Sequence, residues 1–311
     1  MKFGALVGIG NTTWDDVLSF VQHLDATGWY AAWVPDHLIS SQGGTLYEGW
    51  TMLAALAART ENIRLGTLVT ANTFRLPAIV AKMAVNVDHI SGGRLTLGMG
   101  TGWQQEEHDA YGIPFYSHGQ RLRRLDEACE VIVHLFQNER TDFQGRYYQL
   151  VDAPLSPKPI QKPYPPILIG GGGDGTLRLA AKWANIWNWW GGPEATRERI
   201  AVLEQRCQEV GRNAADIEKT ANAPLVLSED RSEIQQASAA FGQGAGRWVH
   251  YRNLEADEAR ENMLIGSVAE VREQVQRYAD VGVTQLMIPL APSTSRDTLD
   301  RFMTDVAAKV G

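Results

Sequence analysis

"IRLGTLVTANTFRLPAIVAKMAVNVDHISGGRLTLGMG", residues 63–100, reads as strand, helix and strand in succession. Ile63 to Val69 form a short apolar run rich enough in branched side chains for a buried strand. Pro77 then suits the first turn of a helix through "AIVAKMAVNVDHI", because its missing N–H would lack a partner there anyway. "GRLTLGMG" (93–100) is a second short apolar run. Two strands joined by a helical crossover of this length pair in parallel.

The same unit repeats on both sides. "FGALVGI" (3–9) reads as a strand, and residues 14–27 place Val17, Leu18, Val21 and Leu24 at helical spacing, with Gly28 as a C-terminal cap. "AAWV" (31–34) is a strand and 46–60 a helix; 121–136 is a strong amphipathic helix. "PILIG" (166–170), "NIWNWW" (185–190), "TANAPLVL" (220–227) and "QLMIPL" (285–290) supply further strands, with helices between and after them. Alternation of this kind calls for a parallel sheet covered on both faces. Roughly eight units predict a (β/α)8 TIM barrel as a single domain over residues 1–311; an open doubly wound sheet is the competing arrangement. Two insertions interrupt the rhythm. Residues 137–165, after strand four, are turn- and proline-rich and read as a functional excursion, and residues 228–262 read as a lid.

Composition narrows the function. A net charge of −7 with no basic stripe speaks against a nucleic-acid partner. The two cysteines, Cys129 and Cys207, sit apart in helix-like stretches, so neither a disulfide framework nor a metal site is expected. The N-terminus does not read as a signal peptide, and no apolar run approaches the ~20 residues of a membrane helix. A cytoplasmic enzyme or binding protein is the expectation.

In a parallel barrel the chemistry gathers where strands hand over to helices. Gly170, Gly171, Gly172 and Gly173 stand between strand five and a helix starting near Asp174 or Thr176. A helix N-terminus attracts phosphate, and glycines let the backbone come close, so the block reads as an anion cradle; a tight strand–helix turn is the plainer alternative. It does not match a dinucleotide-binding fingerprint. Asp36 and His37 follow strand two directly, where His37 could exchange protons with Asp36 orienting it. "GMGTGW" (98–103) allows another close backbone approach. Of ten tryptophans, Trp14, Trp33, Trp50, Trp103, Trp187, Trp189 and Trp190 fall near strand ends, which would suit a flat conjugated ligand.

Residues 63–114, together with "PPILIGGGGDGTLRLAAKWANIWN" (165–188) and "LIGSVAEVREQVQRYADVGVTQLMI" (264–288), resemble the bacterial luciferase-like monooxygenase and oxidoreductase superfamily. The four-glycine block looks most like the branch of probable F420-dependent oxidoreductases. What the resemblance implies is a barrel holding coenzyme F420, or alternatively FMN, at its C-terminal face. Asp36 and His37 match the pair beside the ring. Leu68, Val69 and Thr70 match a bulge in strand three that backs it, with a cis peptide expected at Leu68–Val69. Gly100, Thr101 and Gly102 match a cofactor-lining loop, Glu106 a polar cofactor contact, and Gly170 to Gly173 the phosphate block. Trp103 stands where sugar-phosphate dehydrogenases of the family carry an acid, which makes glucose 6-phosphate a doubtful substrate. The resemblance implies hydride transfer to or from a small organic substrate. The alternatives are an FMN-dependent two-component monooxygenase fed by a separate reductase, and a non-catalytic flavin-binding barrel. It also implies a homodimer, with the 46–60 and 77–90 helices as the expected contact.

Overall fold

The computed structural model describes residues 1–40, 43–242 and 261–310. Eight parallel strands carry the fold: β1 (Lys2–Val7), β2 (Ala31–Val34), β3 (Arg64–Thr67), β4 (Leu95–Gly100), β5 (Ile167–Gly170), β6 (Ile186–Trp190), β7 (Glu218–Asn222) and β8 (Gln285–Leu290). Their order is β3-β2-β1-β8-β7-β6-β5-β4, and β4 pairs back onto β3 through Leu65–Leu95 and Gly66–Thr96. That last pairing closes the sheet, so the barrel is formed and the open doubly wound arrangement is not.

The helices follow the strands as the amphipathic pattern requires: α1 (Trp14–Ala26), α2 (Gly49–Ala57), α3 (Pro77–Ile90), α4 (Gln105–Ala110), α5 (His118–Gln137), α6 (Asp174–Trp183), α7 (Pro193–Glu209), α8 (Arg231–Gly242), α9 (Val268–Asp280) and α10 (Arg296–Arg301). Their buried stripes, such as Val17, Phe20, Val21 and Leu24 of α1, pack on the outside of the strands. Inside the barrel lie Ala31, Trp33, Leu168, Ile186 and Met287. Trp33 is wide enough to require a gap opposite it, since a Cβ on Gly66 would sit 2.5 Å from its ring.

Strand three is broken. After Thr67 the Leu68–Val69 peptide is cis, and the strand resumes as Thr70–Ala71 alongside Met99 and Gly100. Val69 therefore projects among glycines. A Cβ on Gly100 would lie 2.4 Å from Val69 Cγ2, one on Gly170 3.0 Å from Val69 Cγ1, and one on Gly98 1.9 Å from the Thr67 carbonyl oxygen. Two neighbouring strands have given up side chains to make room for this bulge.

The 137–165 excursion is an antiparallel hairpin, Arg140–Gln144 with Gln149–Pro154. Glu127 of α5 accepts the backbone amides of Arg146, Tyr147 and Tyr148 and fastens its tip. Of the 228–262 segment, residues 243–260 lie outside the described residues. On either side of them α8 leads away from Leu225–Leu227, which pairs in parallel with Leu264–Gly266. Among the described residues, no helix is long and apolar enough to cross a membrane.

Helix α9 begins with a reciprocal cap: the Ser267 hydroxyl accepts the Glu270 amide, and Glu270 accepts the Ser267 amide at 2.8 Å. Arg231 of α8 reaches the same carboxylate at 2.8 Å. Arg231 first, then Ser267, hold the Glu270 carboxyl down to about 2. A depressed carboxyl contributes stability above its unfolded range and loses it as the pH falls. Glu270→Gln should therefore remove up to about 1 kcal/mol at neutral pH, the size of a cap. The difference from wild type, read by urea denaturation, should vanish between pH 4.5 and 2. A difference that persists at pH 2 would contradict this assignment.

Candidate active site

The strand ends surround a cavity of about 460 Å³, within the range of roughly 300–1,000 Å³ of small-molecule sites. Its wall comes from the ends of β1, β2, β4, β5 and β6, the Leu68–Val69 bulge, and the loop that carries Leu46. Leu46 is held over the site by an antiparallel bridge to Gly10. Asn11 ties the same loop by accepting the Thr45 amide and donating to the Gly43 carbonyl.

His37 faces this cavity, but its partner is not Asp36. Its Nδ1 lies 3.0 Å from Oε2 of Glu107, whose other oxygen accepts the amides of Leu38 at 2.6 Å and Ile39 at 3.0 Å. Burial opposes charge on Glu107, yet His37 and the two amides outweigh it and hold the carboxyl below its ordinary range. An ionised carboxylate only accepts, so Nδ1 of His37 carries the hydrogen. The Nε2 edge is left to the cavity, with the side chain 30% exposed. Trp103 meets the imidazole edge-on at 5.5 Å. Glu106, expected as a cofactor contact, is exposed on α4 and does not line the cavity.

Asp36 turns the other way. Its buried carboxylate receives a two-pronged bond from Arg75, at 2.7 and 3.0 Å, and the Ala71 amide at 2.9 Å. Burial pushes the Asp36 carboxyl up, and the Arg75 guanidinium works against it. Arg75 also pairs with Glu48, which caps α2 through the Trp50 and Thr51 amides. The network locks the loops after β2 and β3 together and so fixes the bulge and His37 in relation to each other. Lysine cannot make the fork. Arg75→Lys should lower the unfolding free energy by about 1.5 kcal/mol, the loss of one charged hydrogen bond. An unchanged urea midpoint would mean that the fork contributes nothing.

The glycine block divides. Gly170 and Gly171 line the cavity, together with Thr176 from the first turn of α6. Gly171, at φ +128°, sits where side chains are disfavoured, and its amide bonds to the Asn188 carbonyl. Gly172 lies under Trp189, where a Cβ would come within 2.4 Å of the ring. Gly173 is the N-cap of α6, with no side chain capping the helix and open space where its Cβ would be. Asp174 points outward to Arg178 and Arg206.

Gly100, Thr101, Gly102, Leu68 and Val69 line the cavity; Thr70 does not. The Thr70 hydroxyl is buried against that of Thr67. Of the expected aromatic rim, Trp103, Trp189 and Trp190 reach the cavity, whereas Trp33, Trp50 and Trp187 are core residues and Trp14 opens α1. No residue of the 137–165 hairpin lines this cavity, and Glu127 holds the hairpin along α5. Sequence reasoning missed Glu107, Arg75, Leu46 and Asn188. Only Glu107 left a signal: an acid one position from the residue chosen.

A closed parallel barrel whose rim gathers a histidine–carboxylate pair beside a roomy, indole-walled cavity defines an enzyme that works with a sizeable organic molecule. The chain belongs to the luciferase-like monooxygenase family, whose model matches residues 1–285. It is 26% identical over 266 residues to an FMNH2-dependent dimethylsulfone monooxygenase of Pseudomonas putida, covering 78% of this chain and 73% of that one. It is 26% identical over 321 residues to an F420-dependent glucose-6-phosphate dehydrogenase of Amycolatopsis mediterranei, covering 95% and 94%. Among solved structures, an F420-dependent secondary alcohol dehydrogenase in complex with an F420–acetone adduct superposes with a TM-score of 0.84 at 19% identity, covering 100% of this chain and 98% of that one. The chain is an oxidoreductase of this family.

Proposed function

We propose that this enzyme binds coenzyme F420 and exchanges a hydride with a small organic substrate whose oxygen is served by His37. The observation that carries the proposal is the His37–Glu107 pair: Nδ1 is committed to a buried carboxylate and Nε2 is left to the cavity. A hydride leaving or joining an oxygen-bearing carbon must be matched by a proton at that oxygen. His37 takes that proton at Nε2 in one direction and returns it in the other, while Glu107 stabilises the imidazolium that forms.

The residues present fit the coenzyme. Helix α6 starts at the cavity end lined by Gly171 and Thr176, and no side chain caps it. Its first-turn amides are therefore suited to a phosphate. Val69, Gly100 and Gly170 offer a flat wall of backbone and methyl groups toward the cavity. Trp103 and Trp189 supply the aromatic faces. The deazaflavin, when bound, supplies the hydride acceptor or donor. The near end-to-end match with the F420-dependent glucose-6-phosphate dehydrogenase supports this choice over FMN.

The second reading is a reduced-FMN monooxygenase with a partner reductase, favoured by the similarity to the dimethylsulfone enzyme. Calorimetric titration of the apoprotein with oxidised F420 and with oxidised FMN separates the two. Micromolar or tighter F420 binding, with FMN at least tenfold weaker, is expected. The reverse order would establish the monooxygenase reading, and binding of neither would overturn both.

A further inference from the structure

The polar groups around the cavity are almost all engaged with the protein itself. Asp36 is held by Arg75 and the Ala71 amide, and Glu107 by His37 and two further amides. Asn188 donates to Thr220 and accepts from Asn222. Asn11 ties down the 43–45 loop, and the Gln104 amide donates to the Ile39 carbonyl. Both acids are thus already committed to protein partners, and no lysine or arginine among the described residues lines the cavity. The cavity that His37 faces is also lined by Ile9, Ile39 and Leu46, and the Trp103 indole meets the imidazole. Ile9 is 1% exposed and stands beside the Gly10–Leu46 bridge, which holds this part of the wall in place.

We infer that the substrate is uncharged and largely apolar, carries one oxygen at the reacting carbon, and is recognised by a single hydrogen bond to His37 Nε2 together with burial of its hydrocarbon part. This rests on the hydride-transfer reading above. A carboxylate or phosphate on the substrate would lose its water in this wall and gain no counter-charge, a severe penalty. Each methylene laid on the wall instead gains about fourfold in affinity. In the alcohol-oxidising direction the C–H bond breaks with its electron pair passing to the coenzyme, the O–H proton passes to His37, and the carbon–oxygen double bond forms. The opposite direction restores both.

The test compares ligands matched in shape. Binding of 2-butanone, 2-pentanone, 2-hexanone and 2-heptanone is measured by calorimetry, alongside 6-oxoheptanoate, which replaces the terminal methyl of 2-heptanone by a carboxylate. Each is titrated into the protein with and without the coenzyme found to bind. Affinity is expected to rise by about fourfold per methylene along the ketones. The keto acid is expected to bind at least 100-fold more weakly than 2-heptanone. His37→Ala should weaken every ketone by about tenfold and leave the methylene increment unchanged. A keto acid that binds as tightly as 2-heptanone, a flat chain-length series, or no ketone binding at all would overturn the inference. If neither flavin-type coenzyme binds while the matched ligands still discriminate, the hydride reading fails and the substrate class stands.

Discussion

Glu107→Gln should lower kcat by about 10³-fold while leaving the chain folded. The size follows from which oxygen does what. Oε1 accepts two backbone amides, from Leu38 and Ile39, and Oε2 faces Nδ1 of His37. In the variant the amides keep the carbonyl oxygen, so the NH2 group must turn toward His37. That donor forces the imidazole into the opposite tautomer, with its hydrogen on Nε2 and its lone pair on Nδ1, and removes the negative charge that supports an imidazolium. Nitrogen-15 shifts of the His37 ring read the tautomer directly, independently of turnover. A variant with activity within tenfold of wild type, or with the ring hydrogen still on Nδ1, would remove Glu107 from the mechanism.

The second large effect is on stability. Gly98→Ala would place a Cβ 1.9 Å from the Thr67 carbonyl oxygen. Both partners are backbone in adjacent strands, so no side chain can swing aside, and the Val69 bulge must shift as a whole. We expect a loss of at least about 3 kcal/mol in unfolding free energy, at the upper end for an overpacked core. Gly173→Ala is the control. It belongs to the glycine block, yet nothing lies within 4 Å of its added carbon, and its φ of −70° suits any residue. Its urea midpoint should match wild type to within about 0.5 kcal/mol. Equal effects at the two positions would mean that the bulge is softer than its contacts imply.

The barrel was legible in the sequence because both of its periodicities are strong. "AAWV" (31–34) and "QLMIPL" (285–290) are strands with those bounds, and the four apolar positions named for α1 are all buried, with Phe20 added to them. The break at Leu68–Val69 was anticipated from the resemblance and not from local chemistry, and it has a readable trace only in hindsight: Gly98, Gly100 and Gly170 are the space it needs. The site was less legible, for reasons of geometry. Asp36 and His37 are neighbours in sequence, so adjacency argued for a pairing, but their side chains part, one to Arg75 and the other to Glu107. Glu106 and Glu107 sit on a helix of six residues, too short for a hydrophobic period to reveal which acid faces inward. Arg75 joins Asp36 across 39 positions of sequence, a separation at which no local pattern operates.

The stacking of Trp189 on Gly172 has an optical consequence. Its indole lies 6.1 Å from that of Trp187, nearly parallel, and both Trp189 and Trp190 border the cavity. Trp29, Trp50 and Trp183 do not border it. Near-ultraviolet light absorbed by the β6 indoles passes readily to any bound chromophore that absorbs in the range of indole emission. The chain thus carries its own reporter at the one place where occupancy matters, and a dimming of its native glow would register coenzyme arrival in real time without a label.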